Sequence, residues 1–191
     1  MVSESMRTIR HLDEIRPADR GHVIAIGNFD GVHKGHQALL DRTKGLAKSR
    51  AVSAGVLIFE PHPRVFFRPE DDHFPLTPLP RKLERLAHFD IDLAVVVPFD
   101  RALAELSAEA FVDEVLAGAL GVAHVVAGYD FFFGKNRTGT PETLKALGLA
   151  HGFGVDIVAP QAEDGAVFSS SAIRAKLSAG DVAGAARDLG D

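Results

Sequence analysis

Continuous apolar runs alternate with amphipathic segments along the chain, and this alternation restricts the possible folds more than any other feature. The apolar runs lie at residues 22–26, 52–60, 91–99, 122–128 and 153–160. Uninterrupted apolar character is typical of strands that are buried on both faces. The sequence predicts helices over residues 33–50, 80–89, 107–120, 140–152, 169–180 and 181–190. The pattern therefore predicts an α/β fold, a mostly parallel five-stranded sheet with helices on both faces.

Length, charge and cysteine content narrow the choice of function. The 191 residues suit one domain over 1–191, with a small helical appendage at about 170–191. The net charge is −5, from 21 basic and 26 acidic residues, so we expect neither nucleic acid nor a membrane surface as partner. The chain has no cysteine, which excludes disulfides, thiolate metal sites and cysteine nucleophiles. The absence of cysteine fits a reducing cytoplasm, where we expect the protein, and no stretch is long enough to span a bilayer.

Three unusual loops follow predicted strands, at residues 27–36, 60–78 and 128–139. In a parallel sheet such loops lie at the carboxyl edge, where ligands bind. Residues 61–78 contain five prolines and three phenylalanines, which predicts an aromatic loop without regular structure. Long loops are uncommon unless they are functional, so we expect ligand contact there, although hydrophobic filling beneath a long connection is the alternative.

The first of these loops reads GNFDGVHKGH, residues 27–36. Its glycines allow a sharp turn, and the helix that follows offers free N–H groups to a phosphate. His33 and His36 lie on one face of that helix, and Gly35 leaves the space beside them open. Imidazoles in this position can donate hydrogen bonds to phosphate oxygens, most usefully in a transition state that gains negative charge. The simpler alternative is a glycine loop with two surface histidines.

A second candidate anion site reads SSSAIR, residues 169–174. Serine hydroxyls and N–H groups meet at a predicted helix start, and Arg174 lies one turn further on. The alternative is a serine cap beside a solvated arginine. Both sites together favour nucleotidyl transfer, which needs cationic or N–H donors on both sides of a triphosphate.

Five separated blocks carry a family resemblance that spans residues 7–190. They read GNFDGVHKGHQ, FEPHP, PLTPLPRKLERL, GYDFFFGKNRTG and SSSAIR. In this order they resemble the FMN adenylyltransferase (FAD synthetase) module of prokaryotic bifunctional riboflavin kinase/FMN adenylyltransferases, which belongs to the nucleotidyltransferase superfamily with the HIGH signature. The resemblance implies a Rossmann-like, doubly wound fold of the nucleotidyltransferase type. It also implies that ATP and FMN react to give FAD and pyrophosphate with Mg²⁺.

The resemblance also implies roles for individual residues. Its catalytic residues would be His33, His36 and Arg174, and its ATP-phosphate site would include Asn28, Asp30, Gly35, Ser170 and Ser171. For Asn28 and Asp30 the partner could be a phosphate, a metal or a helix cap. The flavin-binding residues would be His62, Pro63, Phe66, Phe67, Asp130, Gly134 and Arg137. No protein ligand for Mg²⁺ is assigned, because the ion is expected to arrive with ATP. Phe132 stands where the family often has a basic residue, and Ser171 stands where threonine is frequent.

Full-length relatives usually carry a C-terminal riboflavin kinase with a Pro-Thr-Ala-Asn signature, which this sequence lacks. We therefore expect that the chain alone does not phosphorylate riboflavin and that a kinase module could follow it in a full-length protein. Two alternatives stay open. One is a sister nucleotidyltransferase that acts on pantetheine phosphate, nicotinamide mononucleotide, or a sugar or glycerol phosphate. The other is a non-catalytic flavin or nucleotide sensor.

Overall fold

The computed structural model describes residues 6–71, 73–163 and 165–190. Within them, the main sheet contains six strands, all parallel, in the order β1-β4-β3-β2-β5-β6. The strands are β1 (Arg7–Ile9), β2 (Val23–Ile26), β3 (Ala54–Glu60), β4 (Leu93–Pro98), β5 (His124–Gly128) and β6 (Gly154–Val158). A separate antiparallel hairpin joins β7 (Ala162–Glu163) to β8 (Ala166–Val167).

Helices fill the connections between strands. They are α1 (Lys34–Arg50), α2 (Pro63–Phe67), α3 (Leu79–His88), α4 (Arg101–Ala104), α5 (Ala108–Phe111), α6 (Pro141–His151), α7 (Ser170–Ser178) and α8 (Val182–Leu189). Helix α5 continues without a break into a π-helix over Val112–Ala119. Ser107 and Thr140 cap α5 and α6 through side-chain acceptors, which is why these helices begin where they do.

Each face of the sheet carries its own apolar core, because successive strand residues point to opposite faces. On one face, α1 and α3 cover the sheet; the buried residues there include Val23, Ala25, Val56, Ile58, Leu39, Leu40 and Leu86. On the other face, the π-helix and α6 do so; the buried residues there include Ile24, Ile26, Leu57, Val112, Leu116 and Leu144. The predicted fold class, a parallel sheet covered on both faces, is confirmed.

Three details differ from the expectations. The sheet has six described strands, not five, because β1 adds a short edge strand beside β4. The segment 61–78 contains the helix α2 and so is not loop throughout. The helix predicted over 107–120 is present, but most of it has π geometry. Among the described residues, no helix has both the length and the apolar character that crossing a membrane requires.

The strand order identifies the edge at which a ligand can bind. From β2 the chain proceeds outward through β3 to β4, and it returns to the other side of β2 with β5. The direction of winding therefore reverses between β2 and β5. In such sheets the crevice at the carboxyl ends of these two strands is where ligands bind. The turns after β2 and β5 are the glycine-rich segments that the sequence singles out.

Candidate active site

The turn after β2 is held in an unusual backbone shape. Phe29, Gly31 and Val32 have φ of 50°, 84° and 44°, a region that residues with side chains seldom adopt. The side chains of Phe29 and Val32 are fully buried, and they fix the turn in this shape. A Cβ at Gly31 would lie 2.9 Å from Leu189 Cδ2, so this glycine lets the end of α8 approach the turn.

His33 and His36 form one stacked pair at the start of α1. Their ring centroids are 3.7 Å apart, and the ring of Phe29 lies 5.1 Å from that of His36. His33 caps the helix, since its Nδ1 accepts a hydrogen bond of 3.4 Å from the backbone N–H of His36. An accepting Nδ1 places the proton of a neutral His33 on Nε2, which is then a donor for a ligand.

Burial determines the charge of this pair. It lowers the pKa of His33 to about 4, against the opposing effect of the Asp30 and Asp188 carboxylates. It also lowers the pKa of His36 well below the usual value, and the neighbouring His33 and Lys82 act in the same direction. Both rings are therefore neutral at pH 7. Among the described residues, the buried Nδ1 of His36 has no hydrogen-bond partner.

Gly35 lies where α1 meets the segment that leads into α7. A Cβ at this position would lie 3.1 Å from the His33 ring and 3.2 Å from the carbonyl oxygen of Phe168. Contacts this short force a neighbour to move, and the carbonyl belongs to the backbone. The open space predicted at Gly35 is thus filled by the approach of Phe168.

Asp30 connects the glycine-rich turn to two distant segments. One carboxylate oxygen accepts from the Thr77 N–H at 3.0 Å, and the other accepts from the Leu76 N–H at 3.1 Å. The second oxygen also forms an ion pair with the Arg174 guanidinium. The backbone carbonyl of Asp30 accepts from Ser170 Oγ at 2.8 Å. Asp30 is only 3% exposed, so these contacts lie in a protected environment.

The structure brings Arg174 to the turn that carries His33 and His36. Its Nε also donates to the carbonyl of Phe74 at 2.8 Å. Ser170 lies in the first turn of α7, and Ser171 is exposed beside it. The cap of α7 is Ser169, whose hydroxyl accepts from the N–H of Ala172. Asn28 follows β2 directly, and its buried Oδ1 has no partner among the described residues.

A cavity of about 380 Å³ opens beside Asp30, which is one of its lining residues. The carboxyl end of β3, the start of α2, the segment 73–78 and the first half of α3 form its walls. They contribute Asp30, Glu60, Pro61, His62, Val65, His73, Pro75, Thr77, Pro78, Leu79 and Lys82. His62 caps α2 through Nδ1, and its ring lies 4.8 Å from that of His73. Burial lowers the pKa of His62 to about 4, and the proximity of His73 adds to this effect.

Pro63, Phe66 and Phe67, the other predicted flavin residues of segment 61–78, lie beside this cavity. They are not among its described lining residues. Phe66 and Phe67 contact each other and Phe99 edge-on, at centroid distances of 5.2 to 5.7 Å. Phe67 is 63% exposed, and Pro63 begins α2. A continuous series of ring contacts leads inward from Phe99 through Phe59, Phe111 and Phe133 to Phe131.

That aromatic series ends in the loop after β5, which holds the remaining predicted flavin residues. Gly134 has φ of 73°, and a Cβ there would lie 2.6 Å from the backbone nitrogen of Ala108. Arg137 lies over the ring of Phe132 at 5.1 Å, and Asp130 is exposed. Among the described residues, no hydrogen bond or ring contact links Asp130, Gly134 or Arg137 to the histidine pair.

Sequence reasoning missed Glu60, Thr77 and Lys82, which face the cavity. Lys82 carried a usable signal, because it shares the apolar stripe of α3 with Leu79, Leu83 and Leu86. Within residues 6–71, 73–163 and 165–190, no group of three or more histidine or acidic residues is arranged to hold a metal ion.

Comparisons with known proteins identify the family of this chain. The model of the FAD synthetase family matches residues 15–172. The chain is 41% identical over 185 residues to the bifunctional riboflavin kinase/FMN adenylyltransferase of Pseudomonas fluorescens, covering 97% of this chain and 59% of that protein. The proteins of the same description from Escherichia coli K12 and Listeria monocytogenes are 36% and 39% identical; the matches cover 97% and 90% of this chain and 59% and 54% of those proteins. The chain thus spans less than two thirds of the length of these relatives.

Two solved structures resemble the fold. A Streptococcus pneumoniae protein described as a macrolide-efflux protein has a TM-score of 0.84 at 26% identity, over 97% of this chain and 60% of that chain. A pantoate-beta-alanine ligase from Francisella tularensis has a TM-score of 0.58 at 14% identity, over 88% of this chain and 73% of that chain, which supports the fold alone. The chain belongs to the FAD synthetase family.

Proposed function

We propose that the chain transfers the adenylyl group of ATP to FMN, forming FAD and pyrophosphate. The observation that carries this proposal is the meeting of two distant segments. Arg174 and Ser170 of α7 contact Asp30, in the same turn that presents His33 and His36. N–H and guanidinium donors from both segments then surround one anion site, as a triphosphate requires.

In the proposed reaction, an oxygen of the FMN phosphate attacks the α-phosphorus of ATP. A new oxygen–phosphorus bond forms while the bond to the β-phosphate breaks, and pyrophosphate leaves. No protein nucleophile is needed, so catalysis rests on positioning and on stabilising charge. His33 and His36 act as neutral hydrogen-bond donors to the phosphates, and Arg174 supplies the positive charge.

The rest of the ATP-phosphate site is proposed around this group. Gly35 lets the Phe168 backbone close over the histidines, while Ser170 and Ser171 provide hydroxyls. Asn28 can donate to a phosphate only through its side-chain amide N–H, since its Oδ1, without a partner among the described residues, is an acceptor, and Asp30 orients Arg174. We propose that Mg²⁺ arrives with ATP and neutralises charge on its phosphates.

The flavin is proposed to lie between the two aromatic segments. The exposed ring of Phe67, beside Phe66, offers the flat apolar surface that an isoalloxazine ring needs. His62 and Pro63 form the wall between that surface and the anion site. Asp130, Gly134 and Arg137 are proposed to contact the flavin from the loop after β5.

Two other functions compete with this one. A sister nucleotidyltransferase with a small polar acceptor has no need for the exposed Phe67 ring. A non-catalytic sensor has no need to keep His33, His36 and Arg174 together. We also propose that a full-length protein carries a riboflavin kinase module and that this chain alone does not phosphorylate riboflavin. The reaction is proposed to take place in the cytoplasm.

The test is incubation of the purified chain with ATP, Mg²⁺ and FMN, with FAD measured by chromatography. Riboflavin and pantetheine phosphate replace FMN in the control reactions. We expect FAD from FMN and no product from either control acceptor. Product from pantetheine phosphate alone would favour the sister nucleotidyltransferase, and conversion of riboflavin to FMN would contradict the absence of kinase activity.

The variant His36→Ala tests the proposed mechanism in the same assay, and His88→Ala is its control. Loss of one donor to a developing charge is expected to lower kcat by about 100-fold, with the FMN dissociation constant nearly unchanged. His88→Ala removes an exposed histidine at the end of α3 and should leave kcat unchanged. An unchanged kcat in His36→Ala would remove His36 from the mechanism.

A further inference from the structure

Lys82 is a buried cation on the wall of the cavity. It lies in α3 and is 4% exposed, although lysine is seldom buried to this degree. Its neighbours along the helix stripe, Leu79, Leu83 and Leu86, are all apolar. The lysine thus occupies a core position of the helix and lines the cavity beside His62 and Thr77.

Within the part of the chain that the structure describes, the ammonium group of Lys82 forms no hydrogen bond and no ion pair. Burial lowers the pKa of Lys82, and the carboxylates of Asp30 and Glu60 oppose that effect from a distance. Asp30 is already engaged by Arg174 and by two backbone N–H groups. An unpaired buried charge is costly, so a ligand is the natural partner.

Lys82 lies near residues of both proposed substrate sites, His36 of the ATP site and His62 of the flavin site. Asp30 lines the cavity and also forms the ion pair with Arg174. Lys82 is close enough to His36 to lower the pKa of that histidine, and it acts on His62 in the same way. In the proposed reaction, the acceptor phosphate lies between the flavin and the α-phosphate of ATP, so a cation that lines the cavity near His36 and His62 is suited to hold it.

We propose that Lys82 binds the phosphate group of the acceptor nucleotide, FMN, and holds it for attack on ATP. This inference rests on the proposed function and adds a residue to it. The ammonium group, which has no partner among the described residues, donates a hydrogen bond to a phosphate oxygen of FMN. Glu60, on the same wall, is suited to hydroxyl donors such as those of a ribityl chain.

The test compares FMN with riboflavin, which differ by the phosphate alone. The dissociation constants of both flavins are measured by fluorescence quenching, and that of ATP by calorimetry, for the wild type and Lys82→Met. We expect FMN to bind about 10- to 100-fold more weakly to Lys82→Met, as for loss of one charge-assisted hydrogen bond. Riboflavin and ATP should bind as they do to the wild type.

Arg81→Met is the matched control, because Arg81 is the adjacent residue of α3 but is exposed and paired with Glu84. It removes the same charge outside the cavity and should leave all three affinities unchanged. Equal weakening of FMN and riboflavin by Lys82→Met would overturn the proposal and indicate a change in cavity shape. Weakening of ATP alone would overturn it too and assign Lys82 to the triphosphate.

Thermal unfolding of the ligand-free proteins separates this role from a structural one. An unpaired buried lysine lowers the free energy of unfolding of the ligand-free protein. Lys82→Met should therefore melt at the wild-type temperature or about 2 °C or more above it. A clear fall in melting temperature would contradict the proposal. If the wild type binds FMN but forms no FAD, the proposed reaction fails while the binding comparison still decides the role of Lys82.

Discussion

The carboxylate of Asp30 connects three segments of the candidate site through contacts with other protein groups. Both of its carboxylate oxygens accept hydrogen bonds from protein groups, and one also holds the Arg174 guanidinium. A carboxylate this occupied orients its partners and repels a bare phosphate. The family resemblance groups Asp30 with the ATP-phosphate residues, and that assignment stays a prediction. The contacts favour a positioning role within it.

The charge of His33 gives a prediction about pH. Its pKa is lowered to about 4 by burial, so the unfolded chain binds more protons than the folded protein between pH 6.5 and 4. The stabilising effect of neutral His33 is complete above pH 6.5 and is lost as the pH falls towards 4. Protonation also removes the Nδ1 acceptor that caps α1.

We therefore expect His33→Asn, which keeps a capping acceptor and cannot titrate, to lose less stability than the wild type between pH 7 and pH 5. The difference should be about 1 to 2 kcal/mol in the free energy of unfolding, measured with urea. Some pH dependence should remain, because the pKa of His36 and of His62 is also lowered. Equal losses in both proteins would show that folding does not lower the pKa of His33.

At the scale of single residues, the sequence predicts the histidine pair but not Lys82. The spacing of His33, Gly35 and His36 indicates an anion site because helix starts offer N–H groups whatever the rest of the fold. Lys82 was missed because an amphipathic helix normally exposes its lysines. Its place in the apolar stripe of α3 indicated burial, but the cavity that it lines is formed by segments distant in sequence, which no local pattern encodes.

At the scale of elements, the approach of α7 to α1 is the contact that completes the candidate site. Gly35 permits it, since a Cβ would be 3.2 Å from the carbonyl oxygen of Phe168. Gly45 lies in the same helix with no atom within 4 Å of a Cβ built on it. The two glycines thus make a matched pair within α1.

Gly45→Ala is expected to stabilise the protein by up to about 1 kcal/mol, because alanine is the better helix former. Gly35→Ala should push the Phe168 backbone away from His33 and raise the KM for ATP. Urea unfolding and steady-state kinetics measure the two effects. An ATP KM that stays at the wild-type value in Gly35→Ala would show that the approach of α7 does not shape the ATP site.

Elements differ in how well the sequence predicts them. The five long apolar strands and the helices capped by Ser107 and Thr140 were clear, because periodicity and capping act locally. Strand β1 was missed since three residues show no periodicity; Arg7 is held there by Asp19, through hydrogen bonds of 2.6 and 2.9 Å. Helix α2 was hidden among prolines, although Pro63 at its start is compatible with a helix.

At the scale of the whole molecule, the C-terminal helices are fastened to the first glycine-rich turn. Gln37 of α1 donates to the carbonyl of Leu189, and Ser170 donates to that of Asp30. Ile173 of α7 is completely buried. The division into one domain with a helical appendage at 170–191 stays a prediction, and these contacts favour unfolding of both parts together.

Ile173→Ala should therefore lower the stability of the entire protein, by about 2 to 5 kcal/mol. Circular dichroism reports all helices, while fluorescence of Tyr129, the single tyrosine of a chain without tryptophan, reports the loop after β5. Both transitions should shift together in urea. Val182→Ala, at an exposed site of α8, should change little. A shift of one transition alone would indicate independently unfolding parts.

The ion pair between Asp30 and Arg174 joins residues 144 positions apart. Ribosomes synthesise a chain from its N-terminus, so His33 and His36 emerge long before Arg174. A growing polypeptide can complete β2 and α1 early, but the contacts of Asp30 with Ser170 and Arg174 form only after translation has passed α7. The proposed ATP site is therefore completed only after α7 has been synthesised.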